Sequence, residues 1–224
     1  MEKLNFLQKK INKVYYFLFK ERFSKKINFN YEDIPRWDLI DFLNTKHKFS
    51  SYLEIGCDND ELFSKINIDN KIGIDPEKGG NLKITSDNFF LQNSKKFDCI
   101  FIDGLHRYHQ VIKDIKNSLN ILNPDGVILL HDCLPNSYFH QAIPRCQYIW
   151  NGDVWKAIVD LRHNNDLNIY TCEIDQGIGI IKKGKNTSIL KVDKKIKDLK
   201  FKDYYENYNK YLRVININEF KKMF

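Results

Sequence analysis

A chain of 224 residues with 42% hydrophobic residues has room for one large globular domain, and it lacks a run of about 18 apolar residues that would span a membrane. The first residues, MEKLNFLQKK, lack the apolar segment of a secretion signal, and the five cysteines form no CxxC pair, so we expect a cytoplasmic protein with reduced thiols. The net charge of +7 divides into +6 over residues 1–30, −7 over residues 31–181 and +8 over residues 182–224, which argues against a nucleic-acid groove through the acidic middle.

The first predicted element is a basic amphipathic helix, followed by a linker, within residues 1–30. Apolar residues recur between lysines at helical spacing, at Leu4, Leu7, Ile11, Val14 and Leu18. We expect this helix to pack on its own domain or on a second subunit, which would make a homo-oligomer. Peripheral contact with a membrane is the less favoured interpretation, because aromatic residues blur the apolar face. These aromatic residues are Phe6, Tyr16, Phe17 and Phe19.

Strands and helices alternate through residues 31–185, the predicted main domain. The predicted strands are 51–55, 71–75, 82–85, 97–103, 127–131, 167–174 and 177–181. This order predicts an α/β fold with a doubly wound, Rossmann-like, mostly parallel seven-stranded sheet that ends in an antiparallel hairpin. We expect Ser86 and Asp153 to cap the helices that follow them. The Lys- and Tyr-rich residues 186–224 predict a helical tail.

Two apolar runs, FDCIFIDGLH (97–106) and GVILLHDC (126–133), end abruptly in polar residues. Such runs are typical of parallel strands buried on both faces. The first run leads to Asp103 and His106, and the second leads to His131 and Asp132. Because open α/β sheets bind ligands at the carboxyl ends of their strands, we expect these four side chains to share one crevice.

A second motif, YLEIGCDND (52–60), ends a strand in a tight turn at Gly56. Asp75 follows nineteen residues later, at the end of the next strand, where an acid typically accepts hydrogen bonds from ribose hydroxyls. The single glycine and the acids Glu54, Asp58 and Asp60 disfavour a pyrophosphate and therefore NAD. They favour a nucleoside with a cationic or zwitterionic group, as in S-adenosylmethionine.

Five segments within about residues 35–185 together resemble a known family. They are EIGCDND, IGIDP, TSDNFF, FDCIFIDGLHRYHQVIKDIKNSLNILNPDGVILLHDC and NGDVWKAIVDLR, in this order. The segments resemble class I S-adenosylmethionine-dependent methyltransferases, and more narrowly the metal-dependent sugar O-methyltransferases of methyltransferase family 24.

The resemblance implies a role for each matching residue. It implies that the cofactor contacts are Glu54, Gly56, Cys57, Asp75, Ser86, Asp87 and Asp103. It also implies a metal site at Asp103 and Asp132, with His131 as a third candidate ligand. Asp103 and His106 are the implied catalytic residues, with His106 as the general base.

The implied reaction moves a methyl group from S-adenosylmethionine to a hydroxyl of a sugar, a sugar nucleotide or a glycan precursor. An alcohol is a poor nucleophile, so a divalent cation that lowers its pKa and an imidazole that takes its proton both assist the attack. Two carboxylates suit Mg²⁺, and Mn²⁺ becomes plausible if His131 also ligates. We expect no nucleic-acid substrate, since DGLH stands where base-flipping enzymes have an Asn/Asp-Pro-Pro-Tyr motif.

Other interpretations of the same residues stay open. A metal-dependent oxygenase would use His106, Asp103 and either His131 or Asp132 as a two-histidine, one-carboxylate site. A non-catalytic protein would dock on an acidic partner through its basic ends. Trp150 either packs or stacks on a sugar. Four further residues flank the crevice and are candidates for contact with an acidic or sugar-nucleotide substrate: Arg36, Trp37, Arg145 and Tyr148.

Overall fold

A seven-stranded sheet forms the centre of this computed structural model, which describes residues 4–31 and 33–224. The strands are β1 (Ser51–Ile55), β2 (Asn70–Ile74), β3 (Phe97–Ile102), β4 (Leu122–Leu130), β5 (Leu167–Cys172), β6 (Ile178–Lys183) and β7 (Val214–Ile215). The helices are α1 (Phe6–Phe19), α2 (Arg36–His47), α3 (Ser86–Gln92), α4 (Tyr108–Ile121), α5 (Trp155–Leu161), α6 (Phe201–Leu212) and α7 (Ile217–Met223). Among the residues described, no helix is long and apolar enough to cross a membrane.

The strands follow the order β2-β1-β3-β4-β6-β5-β7. The first four in this order run parallel, and β6 is antiparallel to both β4 and β5. The predicted α/β sheet with an antiparallel final hairpin is therefore confirmed. From β1 the chain moves to one side to form β2 and then returns to form β3 on the other side. This reversal is the point at which open α/β sheets bind ligands.

Alternate residues of the central strands pack into two separate apolar layers. Leu53 and Ile55 face the layer that contains residues of α3, α4, α5 and α6, whereas Tyr52 faces the layer that contains residues of α2 and α7. Burial on both faces accounts for the nearly continuous apolar runs in the sequence.

The seven strands are not all those that the sequence predicts. Residues 82–85 form only an isolated bridge between Ile74 and Leu82, because the chain enters α3 at Ser86. The seventh strand is instead β7, which follows α6 and pairs in parallel with β5. The C-terminal segment thus contributes an edge strand to the sheet as well as the expected helix.

Two predicted helix caps are also corrected. Thr85, not Ser86, is the N-cap of α3, and its hydroxyl accepts a hydrogen bond from the backbone N–H of Asn88. Asp153 does not cap α5. Its carboxylate instead accepts a 2.7 Å hydrogen bond from the backbone N–H of Tyr108, at the beginning of α4. This long-range cap ties the segment after β4 to the loop that carries His106.

Gly56 brings the ends of β1 and β3 into close contact. It has φ +89°, and a Cβ atom at this position would lie 2.2 Å from the carbonyl oxygen of Asp103. The backbone N–H of Asp103 donates a 2.8 Å hydrogen bond to Ile55, the last residue of β1. Gly56 is therefore required by the backbone that positions Asp103, independently of any ligand.

We expect Gly56→Ala to lower the free energy of unfolding by about 2–4 kcal/mol, because it adds both a steric clash and backbone strain. Gly104→Ala is the matched control, since its new Cβ would come no closer than 3.5 Å to a neighbouring atom. Its effect should stay below about 1 kcal/mol. Denaturant unfolding measures both values, and equal losses for the two variants would contradict this role of Gly56.

Candidate active site

The carboxyl ends of β1, β2, β3 and β4 open into one cavity of about 840 Å³. This volume is typical of a small-molecule site. Every predicted site residue lines the cavity: Glu54, Gly56, Cys57, Asp75, Ser86, Asp87, Asp103, His106, His131 and Asp132. The structure therefore brings together residues that are spread over about eighty positions of the sequence.

Two carboxylates and two imidazoles form a cluster at one end of the cavity. The ring of His106 lies between the carboxylates, with Nε2 3.1 Å from Oδ1 of Asp103 and Nδ1 3.0 Å from Oδ2 of Asp132. Nδ1 of His131 lies 3.3 Å from the same oxygen of Asp103 and 3.5 Å from Oδ2 of Asp132. We call Asp103, His106, His131 and Asp132 the carboxylate–imidazole cluster.

Charge pairing dominates the protonation of this cluster. Burial by itself would lower the pKa of His106, but Asp132 and Asp103 outweigh burial and raise the pKa to about 10. Burial would likewise raise the pKa of both carboxyl groups, whereas the imidazoles lower it. The two carboxylates and the two imidazoles therefore each favour the charged form of the other.

Asp132 is held in an unusual backbone conformation. Its φ of +64° lies in the left-handed region, which residues other than glycine rarely adopt. The side-chain amide of Asn151 donates a 2.9 Å hydrogen bond to Oδ1 of Asp132. The backbone N–H of His131 bonds to Ile102 and continues the pairing of β4 with β3 up to the cluster. Backbone strain of this kind is typical of functional sites.

Trp150 sets the orientation of the His106 ring. The two rings stack, with centroids 5.2 Å apart and an interplanar angle of 22°. Nδ1 of His106 lies 2.9 Å from the carbonyl oxygen of Trp150, which can only accept a hydrogen bond. Nδ1 is therefore the nitrogen that keeps its proton, and Nε2 is the basic nitrogen of the neutral ring. Trp150 is buried against His106, which agrees with a packing role.

Three members of the cluster have the donor chemistry of a divalent-metal site. Single ligand atoms from Asp103, His131 and Asp132 all lie within 4.8 Å of one another. Carboxylate oxygens with one imidazole nitrogen suit Mg²⁺ or Mn²⁺. Because Nδ1 of His131 faces both carboxylates, this nitrogen is the one in position to ligate.

Asp175 and Arg36 support the far side of His131. Nε2 of His131 lies 3.5 Å from Oδ2 of Asp175, the arrangement by which a carboxylate orients a metal-binding histidine. Arg36 NH1 lies 3.6 Å from Oδ2 of Asp103 and 3.2 Å from Nε2 of His131. From the sequence, Arg36 is predicted only to flank the crevice, and Asp175 only to lie in the turn between the predicted strands 167–174 and 177–181. Their contacts depend on how the hairpin and α2 fold over the sheet.

Two acids with opposite properties also line the cavity. Glu54 is buried and accepts a 2.7 Å hydrogen bond from the hydroxyl of Tyr52, and burial raises its pKa to about 8. Burial would also raise the pKa of Asp75, but hydrogen bonds from the backbone N–H groups of Lys78, Glu77 and Asp58 lower it. Asp75 is thus a stable anion, whereas Glu54 keeps a proton unless a cation approaches.

The remaining predicted cofactor residues lie around the same cavity. The side-chain amide of Gln110 donates to the hydroxyl of Ser86 at 3.3 Å and to Asp87 at 3.1 Å. Asp87 also pairs with Lys113 at 2.7 Å. The thiol of Cys57 is buried and bonds weakly to backbone carbonyls, so this residue contributes to the floor of the cavity.

The raised pKa of Glu54 predicts a pH-dependent stability. The unfolded chain ionises Glu54 near 4.5, whereas the folded cation-free protein keeps the proton up to about pH 8. Unfolding then releases a proton, so this group makes the free energy of unfolding fall as the pH rises through that window.

Glu54→Gln lacks this titrating group. Between about pH 5 and pH 8 we therefore expect its free energy of unfolding, relative to that of the native protein, to rise by more than about 1 kcal/mol. Thermal or denaturant unfolding at several pH values measures the difference. Tyr52→Phe removes a hydrogen bond that lowers the pKa of Glu54, so it should extend the window to higher pH. Parallel stability curves for the native protein and Glu54→Gln would contradict the buried, protonated carboxyl group.

Comparisons with known proteins agree with this geometry. Residues 79–133 match a family model described as a methyltransferase domain, and this segment contains Asp87, Asp103, His106, His131 and Asp132. No curated protein sequence matches the chain significantly.

Solved structures align with this chain at low sequence identity. A candidate caffeoyl-CoA O-methyltransferase from Staphylococcus aureus aligns with a TM-score of 0.50 and 16% identity, over 70% of this chain and 86% of that chain. The O-methyltransferase TomG from Streptomyces achromogenes, solved in complex with S-adenosylmethionine, aligns with a TM-score of 0.49 and 12% identity, over 82% of this chain and 91% of that chain. The matched segment is thus similar to a methyltransferase domain, as the resemblance to class I S-adenosylmethionine-dependent methyltransferases implies, and the chain shares the fold of the first of these structures.

Proposed function

We propose that this protein, through residues 31–185, is an S-adenosylmethionine-dependent O-methyltransferase that acts on a hydroxyl of a sugar or a glycan precursor. The observation that carries the proposal is the shared cavity. The carboxylate–imidazole cluster, which can hold a metal and accept a proton, opens into the same space as Glu54, Gly56 and Asp75. Methyl transfer to an alcohol needs both parts side by side.

The acidic groups that line the cavity suit the positive charge and the hydroxyl groups of the cofactor. S-adenosylmethionine supplies a methyl group on a positively charged sulfonium, together with an amino acid and a ribose. Asp75 is an anion at the end of the second strand, where ribose hydroxyls find an acceptor. Glu54 has a buried carboxyl group that ionises readily only beside a cation. Ser86 and Asp87 line the same cavity and are the proposed contacts of the adenine end.

Asp103, His131 and Asp132 would hold the divalent cation, with Mg²⁺ favoured by the two carboxylates and Mn²⁺ by the imidazole. The chemistry of a cation at this place is to lower the pKa of a bound hydroxyl. Asp175 would keep the ring of His131 in the ligating orientation.

His106 is the proposed general base. Its Nδ1 is committed to the carbonyl of Trp150, so the proton of the acceptor hydroxyl moves to Nε2. Nε2 lies 3.1 Å from Oδ1 of Asp103, which places the reacting hydroxyl beside this carboxylate. Asp103 thus positions the acceptor as well as the cation.

The sugar or glycan acceptor rests on the resemblance to family 24 and on the rim of the cavity. Arg36, Arg145 and Tyr148 line the cavity, and the ring of Tyr148 is exposed, as a platform for a sugar would be. Trp37, the other candidate for substrate contact, packs with the apolar layer on the α2 side of the sheet. The alternative oxygenase chemistry would use the same cluster, and the match of residues 79–133 to a methyltransferase domain favours methyl transfer over it. A cytoplasmic location is part of the same proposal.

Two substitutions separate cofactor binding from chemistry. We expect His106→Ala to lower methyl transfer at least a hundredfold, because the ring takes the proton of the acceptor hydroxyl, and to leave S-adenosylmethionine binding within about twofold of the native value. Circular dichroism checks that the variant is folded, since Asp103 and Asp132 lose a partner. Asp75→Ala should instead weaken cofactor binding at least about tenfold, through loss of a charge-assisted hydrogen bond. Calorimetry measures binding, and transfer of a labelled methyl group to sugar acceptors measures activity.

His109→Ala provides the matched control, since His109 lies on α4 close to His106 but does not line the cavity. It should retain both binding and transfer. Full S-adenosylmethionine affinity in Asp75→Ala, or full transfer activity in His106→Ala, would contradict the proposed roles.

A further inference from the structure

The apolar stripe of α1 faces away from the rest of the protein. Leu7, Ile11, Val14 and Leu18 lie on one side of the helix by their spacing, and their side chains are 47–64% exposed. Ile11, Val14 and Leu18 line a shallow hollow on the surface, together with Lys10, Tyr15 and Phe19. An exposed apolar patch of this kind marks a site of contact with another protein or with a membrane.

Contacts on the opposite side of α1 fix this orientation. The side-chain amide of Asn12 donates a 2.8 Å hydrogen bond to the carbonyl of Arg145. Tyr16 is buried, packs 6.1 Å from the ring of Tyr138, and accepts a hydrogen bond from Gln141. Tyr16 therefore does not interrupt the apolar stripe, which removes one of the sequence-based arguments against a membrane-surface helix.

The charged groups around α1 are cationic. The only acid in residues 4–26 is Glu21, whose buried carboxylate accepts hydrogen bonds from Gln141 and from the backbone at the beginning of α6. The exposed charges of this segment are Lys10, Lys13, Lys20, Arg22, Lys25 and Lys26. No described residue of the segment offers them an exposed acidic partner.

This charge distribution selects among the surfaces that would cover the stripe. A second copy of α1 would bring lysines towards lysines without an acid to separate them, which is unfavourable. A membrane with anionic lipids supplies an apolar layer for the stripe and negative head groups for the lysines. We propose that α1 docks this protein on the surface of an anionic membrane, with the leucine–isoleucine–valine stripe in the interface.

The rim of the catalytic cavity contacts α1 on the side that faces the domain, opposite the apolar stripe. Nζ of Lys9 is 5.9 Å from the ring centroid of Tyr148. Tyr148 and Ile149 line the cavity and are 82% and 53% exposed. Docking through the stripe would therefore hold this rim on the far side of α1, one helix diameter (~10 Å) from the membrane interface.

Vesicle flotation of the full chain tests the docking without any methyl donor or acceptor. We expect binding to phosphatidylcholine vesicles that contain about 30% phosphatidylglycerol to exceed binding to pure phosphatidylcholine at least tenfold. Val14→Glu and Lys10→Glu should each lower binding to the anionic vesicles at least about fivefold, the first by placing a charge in the stripe and the second by reversing one. Circular dichroism confirms that both variants are folded.

Ile189→Glu and Lys116→Glu are matched controls, since both side chains are exposed on other surfaces. They should bind like the native protein. The proposal is overturned by equal binding to the two kinds of vesicle, by absence of binding, or by loss in the controls equal to that in the α1 variants. A lipid-free dimer that Val14→Glu dissociates would also overturn it, because a second copy would then cover the stripe. None of these results depends on methyl transfer.

Discussion

The structure depends on keeping two carboxylates, Asp103 and Asp132, ionised in a buried place at the ends of neighbouring strands. Buried charges are stable only when they are paired, and here His106 and His131 supply the pairing from between the carboxylates. Much of the surrounding fold serves this arrangement. Gly56 lets the end of β1 approach Asp103. Asp153, in the segment that follows β4, accepts a hydrogen bond from the first backbone N–H of α4.

The same charge balance explains how one cavity would accommodate the proposed cationic cofactor, divalent cation and base. In the cation-free protein, Asp103 and Asp132 hold a proton on His106. A divalent cation on these carboxylates would reduce their hold on that proton, and a neutral imidazole is what proton transfer requires. Glu54 remains protonated up to about pH 8, because burial disfavours its anion, and a nearby cationic group would favour its ionisation. The cavity is thus acidic in composition but not uniformly charged.

The sequence predicts the sheet and the cluster well, because apolar strands that end in Asp103, His106, His131 and Asp132 are local patterns with one reasonable arrangement in a parallel sheet. Long-range contacts are not predictable in this way. Asp175 reaches His131 from a hairpin turn, and Asp153 caps a helix that begins 45 residues before it in the chain. Strand β7 has only two residues, so its pairing with β5 leaves no recognisable pattern. The direction of the α1 stripe follows from Asn12 and Tyr16 contacts that periodicity alone does not determine.

The central claim is that the carboxylate–imidazole cluster is a metal site beside a proton acceptor, and not a self-sufficient ionic network. A crystal structure of the protein with Mn²⁺ and S-adenosylhomocysteine, with data collected at the manganese edge, tests this claim most directly. The account predicts one anomalous peak within coordination distance of Asp103, Asp132 and Nδ1 of His131, with the adenosyl ligand extending to Asp75. An anomalous map without a peak at the cluster, while His106 still bridges both carboxylates beside the bound ligand, would contradict it.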